Sequence, residues 1–193
     1  MPTHETAYEY APTAKAYLRL IRRRVLWLTA MISTPVALVP TFDYFLDDRD
    51  AIPLASMAVI SSLVTVPFAG MGVWGAPRIG RILRCYPWRA YPCTYVPLSR
   101  DFVMVLAIVP DREVAIHGAP YSCDFQRKQN PHPEIIWFAG DPACGGVASP
   151  AGGHYPQRVV VTRPHAGEPP SPPDEVAIRA GLAKNGRYLA RWL

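Results

Sequence analysis

The sequence predicts an α+β membrane protein: an N-terminal two-helix transmembrane hairpin, a small antiparallel β domain (a meander or partly closed barrel), and a basic C-terminal tail. Three observations predict it. Residues 25–42 and 51–77 carry no charged side chain. An acidic stretch at 43–50 separates them, with Asp43, Asp47, Asp48 and Asp50 against one Arg49. From residue 85 onward the composition turns to Pro, Gly and β-branched residues in short apolar runs.

As helices the two uncharged runs cover roughly 27 Å and 40 Å at 1.5 Å per residue, against a hydrocarbon core about 30 Å thick. The first run is too long for a signal peptide, lacks an Ala-x-Ala site, and is followed at once by the second. Lys15, Arg19, Arg22, Arg23 and Arg24 precede the hairpin, and Arg78, Arg81, Arg84 and Arg89 follow it. Basic flanks stay in the cytoplasm. The expected placement is therefore the cytoplasmic (inner) membrane, two-pass, with both termini cytoplasmic and the acidic turn outside. Trp27, Tyr44, Phe45 and Trp74 are spaced like an aromatic belt.

Element by element, residues 1–24 form a basic cytoplasmic segment. Within it Thr13, after Pro12, is the expected N-cap of the first helix. The hairpin occupies 25–77, with kinks expected at Pro35, Pro40 and Pro67. Ala51, Ala55, Ala58 and Ser62 give the second helix small residues at four-residue spacing, a packing face. Neither run contains an ionisable residue, which points to anchoring rather than conduction. Arg22, Arg23, Arg24, Arg81 and Arg84 are expected at the membrane surface, joined by Lys184, Arg187, Arg191 and Trp192 of the tail.

The cytoplasmic β domain is expected over 85–163. Residues 102–109 are a continuous apolar run of strand length, and 113–117 alternate, which reads as a hairpin around Pro110 and Asp111. Further strands are expected at 134–138, 147–149 and 158–162, the last two flanking Gly152-Gly153. A Pro-rich linker follows at 164–173. Residues 174–193 then form a basic tail, read either as an amphipathic helix carrying Trp192 or as a disordered segment.

The formal net charge of +5 falls on the hairpin flanks and the tail. Arg127 and Lys128 make only a small cluster, so nucleic acid is excluded as a partner. Cys85, Cys93, Cys123 and Cys144 have no C-x2-C spacing and are expected as free thiols in a reducing compartment. No metal or cofactor is expected. The sharpest local feature is the turn-rich stretch 140–146 with Asp141 and Cys144, and His154 beyond it. A Cys nucleophile needs a base, and a Gly-rich turn can offer N–H groups to an oxyanion. The competing reading is a strand–turn–strand connection in which glycines supply positive φ. No phosphate-loop, H-E-x-x-H or G-x-S-x-G pattern is present.

The hairpin pattern, the segment Tyr86-Pro87-Trp88-Arg89-Ala90-Tyr91-Pro92-Cys93, and Trp137-Phe138-Ala139-Gly140-Asp141-Pro142 followed by Gly145-Gly146 resemble a group of small two-span membrane proteins of high-GC actinobacteria. That resemblance carries no activity and no site residue. The expected function is a membrane-anchored adaptor or accessory subunit that presents the β domain to a protein partner. The expected partners are the lipid bilayer and either further copies of the chain or a larger membrane protein complex. The alternative is a membrane-bound cysteine-dependent hydrolase or transferase using Cys144 and His154.

Overall fold

Six strands and two long helices make up most of the computed structural model, which describes residues 6–38, 51–98, 101–109, 112–119, 125, 132–142, 144–161, 173–184 and 187–188. The chain divides into one unit of Met1–Leu18 with Pro77–Leu193, and a second of Arg19–Ala76. Helix α1 is Ala11–Leu38 and α2 is Ala51–Cys85, and both run from one unit into the other.

In the first unit, β1 (Arg89–Leu98), β2 (Asp101–Val109), β3 (Arg112–Gly118), β4 (Ile135–Asp141), β5 (Gly145–Pro150) and β6 (Gln157–Val161) close an antiparallel barrel in the order β1-β2-β3-β6-β5-β4. Closure depends on β1 changing partner along its length. Arg89 to Pro92 pair with β4, and Cys93 to Leu98 pair with β2. Among the described residues, each half of β1 has a registered ladder on one side only, and this is compatible with Pro92 and Pro97. A proline lacks the N–H needed for a second ladder, and an unpaired edge does not ask for one. β3 behaves alike, pairing β2 up to Ile116 and β6 from Ile116 to Gly118.

Strand alternation sends one set of side chains inward. Ile116, Ile136, Phe138, Ala148 and Val159 are buried together with Cys93 and Phe125, and Tyr91 meets Phe138 edge-on at 6.0 Å. The opposite face of β4 carries Trp137, which touches Trp88 (6.2 Å) and Tyr10 (5.6 Å). This outer layer is where the ends of the helices join the barrel. Ile79, Ile82 and Leu83 of α2 are buried. The segment before α1 supplies donors to the end of α2: Ala7 N–H donates to the Tyr86 carbonyl (2.8 Å) and Tyr8 N–H to that of Leu83 (2.9 Å). A helix C-terminus leaves such carbonyls without internal partners.

Thr13 lies within the first turn of α1, which starts at Ala11, so it is not the N-cap that the sequence suggested. Its side chain has another task. It is 0% exposed, and its Oγ1 accepts a hydrogen bond from Trp88 Nε1–H (2.9 Å). Gly153 closes this contact from the β5–β6 turn at φ 66°. A Cβ there would collide with Thr13 Oγ1 and stand 3.3 Å from Trp88 Nε1.

Within the second unit the helices run antiparallel. Arg24 Nη1 donates to the Gly72 carbonyl (2.6 Å), and Thr65 Oγ1 to Met31 Sδ (3.6 Å). Thr29, Thr34 and Thr65 also donate to the carbonyl one turn back. This is the usual way a helix satisfies such hydroxyls.

The expected transmembrane hairpin is corrected here: among the described residues no helix is long and apolar enough to cross a membrane. Three features account for the difference. The basic residues through Arg24 belong to α1 itself, and its described uncharged remainder, residues 25–38, covers roughly 21 Å. The described part of α2 interleaves its apolar residues with Ser61, Thr65, Pro67, Gly70, Gly72 and Gly75. Arg24 also brings a guanidinium against the run expected to be free of charge. The two-pass reading, the inner-membrane placement and the orientation argument fall together. The acidic stretch 43–50 lies outside the described residues, as does the linker up to residue 172.

The tail also departs from a single helix. Helix α3 covers only Glu175–Arg179, started by Asp174, whose side chain accepts from Ala177 N–H (2.6 Å). It is followed by β7 (Ala183–Lys184) paired with β8 (Arg187–Tyr188).

Because Trp88 Nε1 has its acceptor in a buried socket, replacing Thr13 by the near-isosteric Val leaves a dry donor unsatisfied. Thr13→Val is expected to cost about 1–3 kcal/mol. Gly153→Ala, which adds positive-φ strain and the collision, is expected to cost at least as much. Urea denaturation of both variants measures this, and an unchanged midpoint for both would contradict the socket.

Candidate functional site

The sequence singled out Asp141, Cys144 and His154. Asp141 ends β4, Cys144 sits in the β4–β5 turn, and His154 lies in the β5–β6 turn. Cys144 and His154 thus lie beyond opposite ends of β5, a strand that extends over roughly 17 Å. His154 is exposed, whereas Cys144 is 2% exposed. Asp141 is the residue brought to Cys144: the Cys144 N–H donates to the Asp141 carbonyl (3.0 Å), and the side chains interact. Burial pushes the Cys144 thiol far up from its ordinary value, and the carboxylate of Asp141 pushes it further. A nucleophilic cysteine needs the opposite, a stabilised thiolate. The glycines of the turn serve backbone geometry, Gly140 at φ 150° and Gly145 at φ 107°.

Cys93 is also enclosed. Its Sγ–H donates to the Pro133 carbonyl (3.4 Å), and burial raises its pKa. Cys85, Cys93 and Cys144 are free thiols, and Cys123 lies outside the described residues. Among the described residues no group of His, Cys, Asp and Glu is gathered to hold a metal.

The basic residues predicted at a membrane surface do several different things. Arg22 and Arg23 are exposed. Arg24 is bonded to Gly72. Arg84 lies over the Tyr8 ring at 4.8 Å, a cation–π contact, and Tyr8 in turn meets Tyr17 edge-on. Arg81 Nη1 lies 3.8 Å from where a Gly181 Cβ would stand. Lys184 and Arg187 are paired in the β7–β8 ladder. Their side chains lie outside the described residues, with Arg191, Trp192 and the side chains of Ala51, Ala55, Ala58 and Ser62.

Two features were missed from sequence. The first is Arg158, buried on the outer face of β6. The signal available was alternation: in the strand 158–162 an arginine next to a core valine had to point away from the core. The second is a stripe of exposed large apolar side chains on α2: Met57 (69%), Ile60 (62%), Leu63 (77%), Met71 (43%) and Trp74 (85%). These positions recur at steps of three, three, eight and three, one helical face. Val25, Leu26, Trp27 and Ile32 of α1 are exposed as well.

Comparison of the chain with protein-family models, with curated proteins and with solved structures finds no match. The likeness to actinobacterial membrane proteins therefore rests only on the residues quoted for it.

The enclosure of Cys144 has a direct chemical readout. Under native conditions iodoacetamide is expected to label Cys85, which is partly exposed, while Cys144 and Cys93 react at least tenfold more slowly. Peptide mass spectrometry over a time course measures the ratio, and fast labelling of Cys144 would reopen the nucleophile reading.

Proposed function

We propose that this chain is a non-enzymatic assembly module, in which the α2 stripe docks against the same stripe of a second copy and so holds two barrels in one particle. The observation that carries this reading is the unpartnered apolar face from Met57 to Trp74. A unit built of two antiparallel helices has one face of each to bury against the other and leaves the outer stripe without cover. Pairing two such units gives a four-helix bundle about a two-fold axis, a common way to finish a core of this kind.

The magnitudes agree with that occupant. The five exposed apolar side chains of the α2 stripe amount to roughly 700 Å², above the few hundred Å² usual for a monomer and approaching the ~800 Å² per partner of a specific interface. The stripe also avoids charge, and charge depletion marks the centre of such interfaces. The cysteine-dependent alternative draws no support from a protonated, enclosed Cys144 and a His at the far end of β5.

Analytical ultracentrifugation of the full chain tests the reading. The wild type is expected to sediment at twice the chain mass of 21.4 kDa. Leu63→Glu combined with Trp74→Glu is expected to give the monomer, with the far-ultraviolet circular dichroism unchanged. A wild type that stays monomeric up to high micromolar concentration overturns the proposal.

A further inference from the structure

Arg158 is 6% exposed, and its Nε is sealed from solvent with no hydrogen-bond partner. The strand explains how it came to be there. Val159 points into the barrel core, so Arg158 takes the opposite face, paired in register with Val147 of β5. Its backbone is satisfied, since the Arg158 carbonyl accepts from Ala119 N–H (3.0 Å). The unmet demand therefore belongs to the side chain.

That demand is large. A guanidinium has five donors and does not give up its charge in a protein, and removing one from water costs several kcal/mol unless a counter-charge compensates. Buried arginines are ordinarily met by carboxylates. Among the described residues, the charged group that acts on Arg158 is instead another arginine, Arg78 on α2. Burial lowers the Arg158 pKa, and the positive charge of Arg78 lowers it further. Arg78 itself is exposed. The arrangement is thus one cation at the surface and a second, enclosed and with its Nε unpartnered, within its electrostatic reach. Such a pair is self-repelling alone and becomes favourable when an anion sits between its members.

We propose that Arg158 and Arg78 form a binding site for a small tetrahedral oxyanion, with inorganic phosphate as its simplest ligand. Arg158 supplies the fixed, preorganised fork of donors suited to two phosphate oxygens, and Arg78 supplies the outer contact through which the anion arrives and leaves. This inference is independent of the dimer proposed above, because both residues belong to the barrel unit and not to the apolar stripe.

The test is thermal unfolding and isothermal titration of the full chain with inorganic phosphate, against sodium chloride at matched ionic strength. The wild type is expected to show a saturable rise in Tm, as for any ligand that binds only the folded state. Phosphate also stabilises proteins generally by exclusion from their surface, and that effect would be the same in variants. Arg158→Met is expected to abolish the saturable part. Should Arg158→Met fail to fold, Arg78→Gln at an exposed position keeps the test open, with phosphate binding expected to weaken about tenfold through loss of one charge-assisted contact. Equal Tm in phosphate and chloride for the wild type, or a phosphate response in Arg78→Gln equal to that of the wild type, overturns the site.

Discussion

The hydrogen bond from Trp88 to Thr13 is the constraint on which the barrel unit depends. It joins residues 75 positions apart and fixes the first turn of α1 against the start of β1. Much else is arranged to protect it. Gly153 has no side chain because the Thr13 hydroxyl occupies that space. Trp88 is held between the socket and Trp137, and Trp137 between Trp88 and Tyr10. A single polar contact in an otherwise aromatic layer fixes the angle at which the layer packs, because its donor has no water to fall back on. The outer face of β4 is thereby committed to the helices, and the inner face is left to make the barrel core.

This two-sided use of the sheet also explains why the barrel unit has unequal chemistry on its two faces. The interior is uniformly apolar around Phe138 and Ile136. The outer layer must receive helix ends, and helix ends bring backbone carbonyls and basic side chains with them. Tyr8 and Ala7 satisfy the carbonyls, and Arg84 is absorbed on the Tyr8 ring. Among the described residues, the buried Arg158 Nε and Tyr86 hydroxyl have no comparable arrangement.

Much of the β region was legible, and its failures have particular causes. The run at 102–109 and the alternation at 113–117 fall within β2 and β3, because short apolar runs between turn residues are strong local signals. β1 was not visible. Pro92 and Pro97 argue against a central strand, and only knowing that β1 exchanges partners removes the objection. In the tail, helix and disorder were left open because turn chemistry was not weighed: Asn185-Gly186 between two short segments is a hairpin signal, and Gly181 at φ 73° follows the short helix α3. The membrane expectation failed for another reason. It was drawn from the absence of charge, and it overlooked that side chains from a neighbouring helix, such as Arg24, also belong to the environment of an uncharged run. Of the candidate site, the expected positive φ of the Gly-rich turn is met at Gly140 and Gly145, while Arg158 could not be singled out until the strand register placed it on the buried outer face of β6.

The partner exchange in β1 has a consequence for the order in which the protein assembles. Arg89 to Pro92 cannot pair until 135–138 have been made, and the Thr13 socket stays open until residue 153 arrives. On a ribosome the N-terminal helix therefore emerges long before anything exists to hold its first turn. Closure of this barrel is a late, long-range event rather than a progressive one, which places the chain among topologies that fold slowly for their size. During that interval the apolar stripe of α2 is already synthesised and uncovered, and exposed apolar surface of this kind is what makes a folding chain prone to aggregate.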